Sequence, residues 1–270
     1  MEKEINILEL LQKEKLDMDD YEAIGDAYHY GKGVNKDLDK ALEYYLKGGG
    51  YYNYLKAAFC YFDEIKTKEA ILKGIDLLTK MLGMSDSDAP ICLELFYRYA
   101  SLGDYQKAEK CLEVVSLEWW ELDEDEQNLI LVYFFMNLLG IGVNKDERKA
   151  FLILDHLDKD GAGNELVDYY YGILKEIGIG TNQDIKDAIH HYENVTGCGL
   201  EERMFFLKMY DSQDDEFTKL ILLLDMLSEC AFSKFEERYN VVNETRLRDT
   251  EAYKQYLDPH FDYSEEDVEE

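Results

Sequence analysis

The chain is short of proline, of positive charge and of long apolar runs. Only two prolines occur, Pro90 and Pro259, among 270 residues. Proline breaks helix interiors, so almost the whole chain is free to be helical. Lys and Arg number 29 against 59 Asp and Glu, a formal net charge of −30. Nucleic-acid binding needs a basic surface to displace counterions, and anionic membranes attract basic segments, so both are excluded as partners. The most apolar stretch, Leu129 to Gly142, spans 14 residues, short of the roughly 20 that cross a bilayer. The opening MEKEINILEL carries acids where a secretory leader carries bases and has no long apolar core, so the expected location is the cytoplasm. Cys60, Cys92, Cys111, Cys198 and Cys230 are odd in number and share no disulfide or metal spacing. They read as small core residues.

What the chain does have is a repeated stretch. Tyr21 to Gly50 contains an apolar-periodic segment with Tyr21, Ile24 and Tyr28, closed by Gly31 and Gly33. After a polar turn, Asp37 opens a second periodic segment carrying Leu38, Ala41, Leu42 and Tyr45. Spacings of three and four place these side chains on one helical face. Glycine relieves the left-handed backbone past a helix end. An aspartate can accept from the free N–H groups of the next helix. The stretch is therefore helix, tight turn, helix.

Gly140-Ile141-Gly142-Val143-Asn144-Lys145-Asp146 followed by Ala150 repeats this wording, as does Gly178-Ile179-Gly180-Thr181-Asn182-Gln183-Asp184 followed by Ala188. The alanines of these two copies stand 38 residues apart. Ala70 and Ala108 mark two further copies without the full glycine turn. A helix pair recurring at this period predicts an α-solenoid.

The motif G-x-G-V-x-K-D-x-x-x-A resembles the Sel1-like repeat, a relative of the tetratricopeptide repeat. Gly31/Gly33/Asp37/Ala41, Gly140/Gly142/Asp146/Ala150 and Gly178/Gly180/Asp184/Ala188 carry the likeness, which covers about residues 19–210. Gly103-Asp104-Tyr105 with Ala108 looks like the plain tetratricopeptide form. Gly48-Gly49-Gly50 departs from the family's Ala-Ala. Because each glycine costs roughly 1 kcal/mol inside a helix, the second helix of the first repeat is expected to end early. The resemblance implies an all-α, right-handed solenoid of about five helix-turn-helix repeats with capping helices at both ends. It also implies protein binding, without naming the partner.

The expected organisation is a capping helix within residues 1–18, the repeats over 19–210, a C-terminal cap over 211–247 and a flexible acidic tail over 248–270. The first cap is placed at about residues 4–15. The second is read as one long amphipathic helix from Phe217 to Phe235. A solenoid needs such caps because its end repeats otherwise expose an apolar face.

No nucleophile, phosphate-loop or dinucleotide motif is present, and no catalytic residue, metal or cofactor is expected. His190-His191 are neighbours on a helix, so their side chains diverge by about 100°. Asp158-Lys159-Asp160-Gly161 is faintly like a calcium loop but has His156 and Val167 where the first and last carboxylates belong. Both features read as structural.

The resemblance puts the first helix of each repeat on the concave side. Repeat alignment then selects Glu22, Asp26 and His29 in the first repeat and Leu55, Phe59 and Phe62 in the second. Leu93 and Tyr97 follow in the third, Leu131, Phe135 and Leu138 in the fourth, and Tyr169, Ile173 and Glu176 in the fifth. Each large apolar side chain gains about 1.5–3 kcal/mol on burial. Either the row packs internally, with the C-terminal helix in the groove, or it is a groove for a partner. Trp119 and Trp120 add a candidate anchor, since tryptophan is enriched in binding hot spots. The expected partner-binding set is Glu22, Asp26, His29, Phe59, Phe62, Tyr97, Phe135, Tyr169, Trp119 and Trp120, and the expected partner is a basic protein or peptide. An immunity protein or inhibitor that neutralises a basic toxin or nuclease is the narrower form. A ligand sensor or enzyme using Glu22, Asp26 and His29 in a pocket is the rival. The oligomeric state is left open.

Overall fold

A computed structural model of the chain describes residues 7–117, 129–159, 165–227 and 229–256. Among the described residues there are fifteen α-helices and no strand. They are α1 (Ile7–Leu10), α2 (Met18–Tyr30), α3 (Leu38–Gly48), α4 (Gly50–Phe59), α5 (Lys68–Met81), α6 (Ala89–Ser101), α7 (Tyr105–Leu117) and α8 (Leu129–Leu139). After them come α9 (Glu147–Lys159), α10 (Glu165–Ile177), α11 (Ile185–Glu193), α12 (Leu200–Asp211), α13 (Glu216–Leu227), α14 (Glu229–Val242) and α15 (Glu251–Tyr256). A π-helix, Cys60–Ile65, extends α4, and a 3-10 turn, Leu247–Asp249, precedes α15. The chain divides within α6 into two compact units, Met1–Leu95 and Phe96–Glu270. Each contains stacked helix pairs of the kind the repeats predict.

The turn between paired helices is the same in all three glycine-bearing copies. Gly31 and Gly33, Gly140 and Gly142, and Gly178 and Gly180 all have positive φ. The aspartate that follows works twice. Its N–H donates back to the first helix, Asp37 to Tyr28, Asp146 to Asn137 and Asp184 to Lys175, at 2.8–2.9 Å. Its carboxylate accepts from the third residue of the second helix, at 3.1 Å for Lys40, 2.8 Å for Lys149 and 3.1 Å for Asp187. One side chain thus closes the turn and caps the next helix.

The second glycine of each turn lets an earlier element approach. A Cβ on Gly142 would lie 2.0 Å from Tyr105 Cβ, and one on Gly180 would lie 2.0 Å from the Glu147 carbonyl oxygen. Both neighbours begin the second helix of the preceding repeat. At Gly33 the equivalent neighbour is Ile7, so α1 occupies the place of a preceding helix. Of the described residues in the stretch expected as a capping helix, only 7–10 are helical. Residues 11–15 turn instead, which brings Lys13 to Asp17 and Asp20.

In the N-terminal unit, α2 packs on α3, α3 on α4 and α4 on α5. Helix α3 stops at Gly48, where Gly49 takes φ 62°, as the glycine run predicts. The second repeat lacks a glycine turn. Its first helix ends in the π-helix, and Lys66 adopts the left-handed conformation at φ 54°. Thr67 then caps α5 through Ala70 N–H at 3.1 Å.

In the C-terminal unit, α7, α8, α9, α10 and α11 pack in succession. Residues Leu129 to Leu138 of α8 are buried without exception, because α7, α9, α12 and α13 all contact this helix. A helix apolar all round demands this environment. The stretch 217–235, expected as one long helix, falls in α13 and α14. Leu220 to Leu224 of α13 are all buried, as are Ala231, Phe232 and Phe235 of α14. Residues 248–256, expected in the tail, are helical in part, and α15 packs on α13. A part-buried ionic tie crosses three helices. Glu109 on α7 accepts from Lys149 on α9 at 2.6 Å and from Asn137 on α8 at 3.4 Å.

Candidate binding surface

The first-helix row meets different fates in the two units. In the N-terminal unit it stays partly open. Glu22 and Asp26 stand four apart on α2 and both reach Lys56 on α4, at 2.8 and 2.7 Å. Tyr45, buried in α3, donates its hydroxyl to Asp26 at 2.7 Å. Burial pulls the Lys56 ammonium toward neutrality, but its hydrogen bonds to Asp26 and Glu22 outweigh this and raise its pKa. The Tyr45 hydroxyl is pushed up by burial and then by Asp26. One turn further along α2, His29 Nε2 lies 3.4 Å from Glu64, which Lys36 also approaches at 3.5 Å. The hydrogen bond from His29, then the charge of Lys36, holds the Glu64 carboxyl below its usual range.

Helix α4 adds aromatics to this face. Tyr52, Lys56 and Phe59 follow at i, i+4 and i+7, so they share a stripe. Tyr52 is 67% and Phe59 40% exposed. Tyr52 did not emerge from the sequence alignment, though its spacing to Lys56 was readable there. Phe62, expected on the same face, is buried against Gly74. The π-helix explains the difference. Its wider bonds, such as Lys66 N–H to Tyr61 at 3.2 Å, wind more slowly than an α-helix. Phe62 therefore rotates off the stripe and into the core.

In the C-terminal unit the row is covered. Phe135 is fully buried and touches Phe134, Tyr170, Phe205 and Phe206. Leu131 and Leu138 beside it are equally enclosed. Tyr97 is buried too, with the Arg238 guanidinium of α14 5.8 Å from its ring. Tyr169 is 8% exposed and donates its hydroxyl to the Gly199 carbonyl. It borders a hollow of about 260 Å³ lined by Tyr192, Val195, Cys198 and Arg203. Glu176, in the position that His29 occupies in the first repeat, is gripped by Arg203 at 2.8 and 3.2 Å and by Tyr192 at 2.7 Å. Internal packing by C-terminal helices, one of the two expectations, accounts for this unit. Trp119 and Trp120 lie outside the described residues, as do residues 257–270 of the tail.

Another feature was not anticipated. Gly25 faces Tyr45, and Gly172 faces Tyr192, with a built Cβ only 2.4 and 2.5 Å from the ring. The fourth repeat places Phe134 and Leu154 at the same two positions, both fully buried. Bulk moves from the second helix to the first while the pair stays filled. The signal lay in the aligned repeats, where Gly25, Phe134 and Gly172 share one position.

No family model and no curated protein matches the chain. Among solved structures it is similar to a Sel1 repeat protein from Oxalobacter formigenes, at 17% identity and TM-score 0.43, covering 77% of this chain and 86% of that one. It is also similar to a protective antigen present in uropathogenic Escherichia coli strains displaying an SLR fold, at 14% identity and TM-score 0.30, covering 90% of this chain and 56% of that one. No described helix is long and apolar enough to cross a membrane.

Proposed function

We propose that the chain is a non-enzymatic protein-binding module that takes a basic protein or peptide on the first-helix face of its N-terminal unit. The observation that supports this reading is the contrast between units. Tyr52, Phe59, Glu22 and Asp26 remain accessible in one, while the aligned aromatics of the other are enclosed. An exposed aromatic stripe beside carboxylates suits a partner that presents both apolar and basic groups. Lys56 already satisfies Glu22 and Asp26, so an incoming Arg or Lys has to displace it or share its carboxylates. The net charge of −30 favours a strongly basic partner, such as a toxin or nuclease that the chain would neutralise, and fast electrostatic capture.

The test is to identify the dominant crosslinked partner and measure its association rate as salt is raised. A fall of about tenfold or more is expected for an electrostatically steered encounter. A rate indifferent to salt would remove the basic partner from the reading. Tyr52→Ala and Phe59→Ala should each weaken binding by about 1–2 kcal/mol with the fold intact. Folded variants that bind as tightly as the parent would refute the surface.

A further inference from the structure

Two features of the sequence that the binding surface leaves unused, the Asp158 loop and the His190-His191 pair, converge in the C-terminal unit. Asp158 sits in the last turn of α9, Asp168 in the first turn of α10 and His191 near the end of α11. His191 Nδ1 is 2.8 Å from Asp168 Oδ1 and 3.8 Å from Asp158 Oδ1. One donor atom from each of the three residues falls within 4.8 Å of the others. The imidazole is only 7% exposed, and its ring lies against Tyr171 with centroids 4.3 Å apart. Its neighbour His190 points to solvent, which is the divergence expected of adjacent helical residues.

Two further observations go beyond proximity. First, the far nitrogen of the ring has a carboxylate nearby, beyond hydrogen-bond distance. Nε2 faces Asp187 Oδ1 at 3.7 Å, and Asp187 is itself anchored by Lys175 at 2.8 Å. Without an ion, Nδ1 bonds Asp168 at 2.8 Å; on ion binding the ring proton would move to Nε2, on the Asp187 side, as metal-binding histidines direct their second nitrogen to a carboxylate. Second, the charges do not close. Lys159, beside Asp158 in sequence, is taken by Asp155 at 2.6 Å. Among the described residues, neither Asp158 nor Asp168 has a Lys or Arg partner. A protonated imidazole would leave one carboxylate uncompensated. A divalent cation with a neutral imidazole balances both.

We propose that His191, Asp158 and Asp168 form a binding site for a divalent first-row transition ion, with zinc as the best match and solvent completing the shell. Zinc bonds of about 2.0–2.2 Å in tetrahedral geometry separate donor atoms by roughly 3.4 Å. The observed histidine-to-carboxylate distances of 2.8 and 3.8 Å bracket that value, and all three donor atoms lie within 4.8 Å of one another. One imidazole with two carboxylates suits zinc better than calcium or magnesium, which favour all-oxygen shells. The ion would clamp the second helix of the fourth repeat to both helices of the fifth.

The experiment uses the full chain, stripped of metal by chelator and dialysis. Zinc chloride is titrated calorimetrically with magnesium in excess, and thermal unfolding is followed with and without zinc. Cobalt(II) serves as a spectroscopic stand-in. One zinc per chain, a raised Tm, and cobalt bands of tetrahedral intensity are expected. Asp158→Asn removes a carboxylate that makes no hydrogen bond to the ring, so it should fold normally and lose at least tenfold in zinc affinity. His191→Gln should lose the nitrogen-ligated cobalt spectrum, while His190→Gln should change nothing. Three results would overturn the proposal. They are binding of several ions that magnesium abolishes, one-to-one binding that Asp158→Asn leaves unaltered, and the absence of any zinc-dependent Tm shift.

Discussion

Replacing Gly25 by alanine tests how the paired helices fit together. The added methyl would stand 2.4 Å from Cε1 and 2.5 Å from Cδ1 of Tyr45. The ring has nowhere to go. It is fully buried, and its hydroxyl is held by Asp26 at 2.7 Å. Overpacking of a tight core site costs about 1–3 kcal/mol, while alanine for glycine inside a helix returns roughly 1 kcal/mol. The net expectation is a loss of about 1–2 kcal/mol. Tyr45→Leu alone leaves a cavity and should cost about 2–4 kcal/mol. The double variant approaches the arrangement in the fourth repeat, where bulk sits on the first helix and leucine on the second. It should therefore fall short of the summed losses by about 1–2 kcal/mol. Urea unfolding followed by far-ultraviolet circular dichroism measures all three. The reasoning is refuted if Gly25→Ala is as stable as the parent, or if the two changes add to within about 0.3 kcal/mol. Gly172→Ala should behave alike, because Tyr192 lies 2.5 Å from the equivalent built Cβ.

Two other outcomes can be checked on the same instrument. Lys66 holds a left-handed backbone at φ 54°, which costs a side-chain-bearing residue about 1–2 kcal/mol. Lys66→Gly should raise stability by about 0.5–1 kcal/mol after glycine's own entropy is counted, and a loss would show that the lysine side chain matters to the turn. Acid should loosen the link from α10 to α12. Hydrogen bonds from Arg203, then Tyr192, hold the Glu176 carboxyl below its usual 4.5. Its contribution is therefore present above that value and fades as pH falls through the lower folded one. The stability gap between the parent and Glu176→Gln should shrink on acidification below pH 4.5, and a gap that stays constant would contradict the assignment.

Helices, turns and caps were readable because their signals are local. The aspartates at positions 37, 146 and 184 each sit within ten residues of everything they bond. The glycines announce a backbone that side chains avoid. The π-helix was not readable, since Cys60 to Ile65 has ordinary helical composition, and with it went the orientation of Phe62. The candidate surface was legible at Glu22, Asp26, His29 and Phe59, and not at Tyr52.

Local chemistry decided that this chain would be paired helices, where each pair turns and which residue begins each second helix. Exposure was a different matter. Phe135 and Phe59 hold corresponding places in their repeats, yet one is covered by Phe205 and Phe206 from some seventy residues away and the other is not. Contact between Asp158, Asp168 and His191 likewise arises from three helices brought to one spot. Such meetings depend on how apolar faces satisfy one another across the stack, and no spacing along the chain encodes them.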